Sequence, residues 1–332
     1  MIAPFDLALI TGAAVCSWLG SRLLITFLAS RGVLDVPVTR SSHTAPTPRG
    51  GGIAVIGTVI LIGAISGSFP LVILILTGVL ALIGWIDDVR SISPLPRFSA
   101  QILAVVVALY LEPNLATIPH ADIPHADIPM TLGAAILGVG WLWFINLYNF
   151  MDGIDGITGV ETLSICIGIA LVSIIAGTPG DLILPSALIA AAIFGFLFVN
   201  WHPAKIFLGD VGSIPLGFVI GWMLISLAQH GAWAAAIILP MYYLADATIT
   251  LLRRLMRKEK IWQAHKNHFY QRAHQCGLGH NQIALRILAT NSGLIALAIV
   301  ATQGYAIPAL IAAAVLTTLL LVHFNQQNGH TA

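Results

Sequence analysis

The sequence is short of charge. Only 9% of its 332 residues are Asp, Glu, Lys or Arg, while 58% are hydrophobic. A soluble domain carries about 25% charged residues, so this chain cannot cover a water-facing surface, and a soluble globular protein is excluded. Cysteine is also scarce: Cys16, Cys166 and Cys276 are unpatterned and give neither a disulfide framework nor a paired-cysteine metal site. The net charge of +1 carries no signal for nucleic acid, and no such partner is expected. The first apolar stretch, 7–29, has only Arg22 as an interior charge. No small-residue cleavage signature follows a basic start, so it is expected to be a retained span rather than a signal peptide.

What the chain does have is apolar runs from end to end. Each is long enough to cross a hydrocarbon core of about 30 Å. Spans are expected near 6–29, 51–67, 70–86, 98–112, 130–147, 158–176, 182–199, 212–228, 233–252, 286–303 and 306–323. The expected fold class is therefore an all-α polytopic membrane protein of about eleven transmembrane helices, an odd number that puts the termini on opposite sides. The intervening loops fall into two sets. One holds Arg31, Arg40, Arg49, Arg90, Arg97, Lys205 and a cluster from Arg253 to Arg286. The other, around 67–70, 112–130, 176–182, 229–233 and 304–306, has no Lys or Arg and carries Glu112, Asp122, Asp127 and Asp181. Because cytoplasmic loops retain Lys and Arg, the first set is cytoplasmic, the N-terminus outside (periplasmic) and the C-terminus inside. The repeated HADIP over 119–129, with His120 and His125, reads as a polar external loop, with metal binding the alternative.

Five carboxylates interrupt this apolar sequence: Asp87 and Asp88 in GWIDDVRS, Asp152 and Asp155 in NLYNFMDGIDG, and Asp210 in KIFLGDVGS. Charge inside a bilayer is costly, so such residues are usually functional or interfacial. Five unrelated helix ends would not all fall on the side that the Lys/Arg distribution makes cytoplasmic. Asn149, Asp152 and Asp155 recur every three residues, which on a helical turn would stack three oxygen-bearing side chains on one face. Oxygen-only donors suit a hard cation such as Mg²⁺ or Mn²⁺, which also engages substrate phosphates, whereas zinc would want His and Cys. Acidic groups beside Arg97, Lys205 and the basic 253–272 segment point to an anionic, phosphorylated substrate, although much of that basic run also serves to fix orientation at lipid headgroups.

The 265–280 segment, HKNHFYQRAHQCGLGH, holds His265, His268, His274, His280 and Cys276. A zinc site from His265, His268, His274 and Cys276 matches no standard spacing. A recognition loop over the membrane-embedded site fits better, since His and Asn bond sugar hydroxyls and phosphate oxygens, and a loop this long that carries Phe269 and Tyr270 is usually functional.

Five blocks together resemble the polyprenyl-phosphate N-acetylhexosamine-1-phosphate transferases (glycosyltransferase family 4). They are DVPVTRSSHTAPTPRGGG at 35–52, GWIDDVRSISPLPRFSAQ at 84–101, NLYNFMDGIDGITG at 146–159, PAKIFLGDVGS at 203–213 and HKNHFYQR at 265–272. The resemblance implies a single membrane transferase domain over 1–332, its site built from cytoplasmic loops 30–50, 87–97, 148–157, 200–211 and 253–286. It matches Asp87 and Asp88 to the paired aspartates of the catalytic centre, Asp152 to a further catalytic carboxylate, and Asp210 and Asn149 to metal ligands. On the substrate side it matches Asp155 near the uracil, Phe207 stacked on it, Arg97 near the pyrophosphate, and His265 and His268 toward sugar and phosphate. The separated histidines of HKNHFYQR look more like the enzymes that initiate O-antigen or related surface glycans than the phospho-N-acetylmuramoyl-pentapeptide translocases, which remain the alternative.

The implied partners are a UDP-N-acetylhexosamine, undecaprenyl phosphate and membrane lipid, with a homodimer among the oligomeric options. The implied cofactor is Mg²⁺ or Mn²⁺. The implied location is a bacterial inner membrane with the site on its cytoplasmic face. Asp87 or Asp88 serves as base or as metal ligand, and a covalent aspartyl-phosphate route stands as an alternative. Two rivals from other classes are weaker. An aspartate-rich prenyltransferase needs a second acidic block that this chain lacks. A transporter predicts carboxylates at span centres, where only Asp246 approaches that position.

Overall fold

A computed structural model describes residues 3–37, 45–116, 129–177, 182–260 and 265–326. Arg40, His120, Asp122, His125, Asp127 and Asp181 lie outside them. The apolar runs form helices because backbone in hydrocarbon must satisfy its own hydrogen bonds, which a helix does within one segment. In chain order these are α1 (Pro4–Ser30), α2 (Gly52–Ser66), α3 (Leu71–Arg90), α4 (Pro94–Leu111), α5 (Met130–Phe150), α6 (Ile157–Ala176), α7 (Ile183–Asn200), α8 (Asp210–Leu227), α9 (Trp233–Ile238), α10 (Met241–Met256), α11 (Phe269–Gln275), α12 (His280–Ala301) and α13 (Ala306–Gln326).

The all-α, multi-pass architecture is what the chain adopts. Among the described residues nine helices are long and apolar enough to cross a membrane. Two of the eleven expected spans take another form. α2 has only 15 residues, roughly 22 Å of helix. The stretch expected as one span over 233–252 is divided at Leu239–Pro240 into α9 and α10, because proline offers no N–H to the helical ladder. α8 is the buried axis of the bundle, all but one of its residues being buried, and a kink with non-helical backbone at His230 and Gly231 (φ +89°) separates it from α9. The outer helices expose large apolar side chains, among them Leu23, Leu103, Val139 and Ile311, a surface suited to lipid.

Two short strands precede α2. Leu34 pairs with Pro48 and Asp35 with Thr47 in an antiparallel register. The strap then crosses to the segment before α8: Phe207 N–H donates to the Pro48 carbonyl at 2.8 Å, and Gly50 and Gly51 N–H donate to the Phe207 carbonyl at 3.1 and 2.8 Å. Thus the 47–52 and 206–208 segments are one unit at one end of the bundle.

The expected helical stacking of Asn149, Asp152 and Asp155 is not realised. α5 ends at Phe150 and α6 begins at Ile157, with Gly156 at φ +76°, a conformation glycine adopts without steric cost. Asp152 and Asp155 therefore sit on a loop and point to different partners.

Candidate active site

The strap, the end of α3, the start of α4 and the start of α8 bring two guanidiniums and three carboxylates together. Arg49 Nε lies 2.7 Å from Asp88 Oδ1, and its terminal nitrogen 2.7 Å from Asp210 Oδ1. Arg97 pairs with Asp87 and reaches Asp210 Oδ2 at 2.6 Å. Asn149, at the end of α5, donates to Asp210 Oδ1 at 3.1 Å and to Ser213 Oγ at 2.8 Å. Asp210 is thus held on both oxygens. Burial tends to discharge Arg49, but Asp88 and Asp210 outweigh it and hold the guanidinium above its ordinary value.

Asp88 has a second task. Its two oxygens accept from the N–H groups of Asp210 at 2.9 Å and Val211 at 3.0 Å, the unsatisfied donors at the positive end of α8. Gly209 makes this approach feasible: its φ is +76°, and a Cβ there would lie 2.5 Å from Asp88 Oδ2. Asp152, partly buried nearby, is pushed up to about 6 by burial, and the negative charges of Asp210 and Asp155 add to that.

A second carboxylate site lies along the same loop. Asp155 Oδ2 is 2.6 Å from His202 Nδ1, 3.2 Å from His280 Nδ1, and accepts from Ala204 N–H at 3.1 Å. Burial raises Asp155, but these donors outweigh it and hold the carboxyl below its usual range. Asn200 knits the same region, with Oδ1 accepting from Gly156 N–H at 3.0 Å and Nδ2 donating to the Ile206 carbonyl at 2.9 Å.

A third pairs α10 with the histidine loop. Asp246, fully buried, accepts from Phe269 N–H at 3.0 Å and Tyr270 N–H at 3.3 Å at the start of α11, and its Oδ1 lies 3.1 Å from His268 Nδ1. It pairs inside the bundle. His265 sits beside His268, ring centres 4.9 Å apart. Burial, then His268 and Arg254, depress its imidazole to about 4. The Tyr270 hydroxyl reaches the Phe150 carbonyl at 3.4 Å, so the histidine loop touches the loop bearing Asp152.

Residues 70–228 match the family model described as glycosyl transferase family 4. Over that segment, just under half of its length, the chain is similar to that family. It is 28% identical over 282 residues to the probable undecaprenyl-phosphate N-acetylglucosaminyl 1-phosphate transferase of Bacillus subtilis, covering 80% of this chain and 77% of the relative. It is also 28% identical over 303 residues to the decaprenyl-phosphate N-acetylglucosaminephosphotransferase of Mycobacterium tuberculosis, with 79% and 74% covered. The phospho-N-acetylmuramoyl-pentapeptide-transferase of Streptococcus uberis matches at 28% over 220 residues, 59% of this chain and 64% of the relative.

The residues picked out by sequence fall mainly into the three groups just described. Asp87, Asp88, Asp210, Asn149 and Arg97 come together, while Phe207 lies on the strap unit beside them. Asp155 goes to the His202 group. His268 turns its Nδ1 inward to Asp246. Sequence reasoning misses Arg49, which reads as a topological charge although it stands in the PRGGG block, and it misses His202 and Asn200, whose signal lies in the NWHPAK run that ends at Lys205. His265, His268, His274 and Cys276 are not gathered as metal ligands. Among the described residues the one grouping able to offer three ligand atoms, all within 4.8 Å of one another, is Asp155, His202 and His280.

The oxygen-rich group suits a hard cation. Among the described residues four carboxylates, Asp87, Asp88, Asp152 and Asp210, gather around two guanidiniums, Arg49 and Arg97, a formal surplus of two. That surplus matches one divalent ion held by carboxylate oxygens.

Proposed function

We propose that this protein transfers an N-acetylhexosamine 1-phosphate from a UDP-sugar to undecaprenyl phosphate, releasing UMP, as a first step in building O-antigen or a related surface glycan. One observation carries the reading: among the described residues four carboxylates gather around two guanidiniums at the ends of membrane helices. That arrangement handles phosphates at an apolar surface, as a lipid phosphate acceptor requires. The polyprenyl-phosphate transferases among its relatives support the same chemistry. We also read α2 and α10 as spans. With the nine longer helices they make eleven, which puts the Lys/Arg-bearing loops and the site in the cytoplasm of an inner-membrane protein.

In this reading an oxygen of the lipid phosphate attacks the β-phosphorus of the UDP-sugar. A phosphoanhydride bond forms as the one to the α-phosphate breaks, and the electron pair leaves with UMP. The barrier is mainly repulsion among anionic oxygens, so positioned positive charge is the catalyst's main contribution. Asp210, Asp87, Asp88 and the Asn149 amide would hold Mg²⁺, which supplies Lewis-acid stabilisation when bound. Arg97 and Arg49 lie where they can exchange a carboxylate partner for a phosphate oxygen. A phosphomonoester loses its second proton near pH 6, so Asp87 and Asp88 act by holding charge rather than as bases. Asp155, Phe207, His265 and His268 are assigned to the donor.

The test is UMP release by purified protein with undecaprenyl phosphate, Mg²⁺ and a panel of UDP-N-acetylhexosamines that includes the muramoyl-pentapeptide donor. Lipid-dependent release that EDTA abolishes and Mg²⁺ restores is the expected outcome. Release only with the muramoyl-pentapeptide donor would move the protein to that branch. No release from any donor, with no measurable UDP binding, would end the transferase reading.

A further inference from the structure

His202 and His280 stand outside the carboxylate–guanidinium group, yet both touch the loop that carries Asp152. Three donors converge on one oxygen of Asp155, from His202, His280 and Ala204 N–H. For Oδ1 of the same carboxylate no hydrogen bond to a described residue is present. The two imidazoles come from opposite directions in the sequence: His202 from the loop after α7, and His280 from the first turn of α12, where the histidine loop ends.

The proton positions follow from the partners. His280 is 3% exposed, and among the described residues its buried Nε2 has no partner. A proton there would be a buried donor with nothing to accept it, whereas a proton on Nδ1 meets a carboxylate. The proton therefore sits on Nδ1, 3.2 Å from the carboxylate. The backbone N–H of Asp155 also donates toward Nδ1 in a long hydrogen bond of 3.4 Å, which this proton placement gives up for the shorter, charge-assisted contact to Oδ2. His202, 2.6 Å from the same oxygen, likewise places a proton between two atoms too close to share a metal ion. Tetrahedral bonds of roughly 2.0–2.2 Å would hold their ligand atoms well beyond that separation.

We propose that His202 and His280 are positioning residues for the nucleotide-sugar: each holds an Nδ1 proton on Oδ2 of Asp155, and together they turn Oδ1 toward the donor. One carboxylate oxygen then joins three segments, 151–156, 201–204 and the start of α12. The end of the histidine loop is registered against the loop that carries Asp152. His274, its ring 4.5 Å from that of His280, fills the remaining side, and its own Nδ1 is engaged by the Leu278 carbonyl at 3.0 Å. The proposal rests on the transferase reading above.

The tautomer gives a specific test. An asparagine amide can replace an Nδ1–H donor, whereas phenylalanine keeps ring volume and loses the bond. Steady-state kinetics of the full-length protein in detergent, with donor and lipid varied separately, should show His280→Phe and His202→Phe raising the donor KM by about tenfold or more, as for a lost bond to a charged group. The lipid KM and kcat should move far less. His280→Asn and His202→Asn should recover most of the loss, and the unfolding midpoints should stay near wild type. Equal damage from Asn and Phe, or a fall in kcat at constant donor KM, would overturn the proposal. So would tetrahedral Co²⁺ absorption in the wild-type protein that His280→Asn removes, since that would make the group a metal site. Wild-type protein that neither turns over nor binds UDP removes the transferase reading and this proposal with it. Active wild type with unaltered Phe variants removes this proposal alone.

Discussion

Asp210 and Asp155 are both carboxylates at helix ends on one face of the bundle, but they are held by different chemistry. Asp210 is locked by Arg49, Arg97 and Asn149. Asp155 is locked by His202, His280 and a backbone N–H. A guanidinium stays charged at any working pH and grips in a fixed fork, so the first cluster is a permanent arrangement of charge. An imidazole donates one proton from one nitrogen, so the second fixes direction rather than charge. The contrast fits a division of labour in which phosphates meet the guanidinium cluster and the neutral part of the donor meets the imidazole cluster.

The sharpest way to break that contrast is Asp210→Asn. It removes the charge to which both guanidiniums and Asn149 point, and leaves two partly buried cations underpaired. Turnover should fall by about a thousandfold, the upper end of what one electrostatic donor contributes, with protein still recovered in the membrane fraction. Arg49→Lys comes next. A lysine keeps the charge but cannot span Asp88 and Asp210 at once, so kcat/KM should drop roughly 10- to 100-fold. If Arg49→Lys were silent, the guanidinium cluster would be merely a charge balance, and its fork geometry would carry no function.

Much of this is legible in the amino-acid order alone. The apolar runs specify the helices, since hydrocarbon leaves a backbone few alternatives, and the polar blocks contain most of the guanidinium cluster. What stays hidden is whatever depends on long-range register. Arg49 looks like any loop cation until the strap carries it against Asp88 and Asp210, across 161 residues of sequence in the second case. The Asn149–Asp152–Asp155 spacing reads as a helical face, but Gly156 and the loop after Phe150 send Asp155 to His202 and His280 instead. The division of the 233–252 stretch is visible only as Pro240.

The two carboxylates of that loop also separate by pH. Burial pushes Asp152 up to about 6, while its neighbour Asp155 is held below its usual range. An unfolded Asp titrates near 3.9, so folding favours protonated Asp152, and its contribution to stability declines as pH rises from roughly 4 to 6. Activity runs the other way if the charge is used: kcat/KM should fall as pH drops through about 6, while Asp155 stays ionised throughout. In Asp152→Asn that acid limb should vanish from whatever activity remains. An unchanged limb in the variant would assign it to another acid of the cluster or to the phosphate of the lipid instead.

The smallest effect is expected where the histidine loop meets the loop bearing Asp152. Tyr270→Phe deletes one neutral bond, hydroxyl to the Phe150 carbonyl at 3.4 Å, a long contact whose loss is worth about 1 kcal/mol or less; activity should change by roughly fivefold at most. The same hydroxyl matters more through what it forbids. A Cβ on Gly153 would lie 2.1 Å from it and 3.1 Å from the ring carbon behind it, so Gly153→Ala should damage activity far more than Tyr270→Phe does. Combining the two removes the nearest collision and leaves two tight contacts that a small shift relieves, the ring carbon at 3.1 Å and Gln271 Nε2 at 3.2 Å. The double variant should therefore outperform Gly153→Ala alone, a sign reversal that independent sites would not give. Simple addition of the two losses would mean that the histidine loop does not rest on Gly153 during turnover, and that Asp246 alone fixes its position.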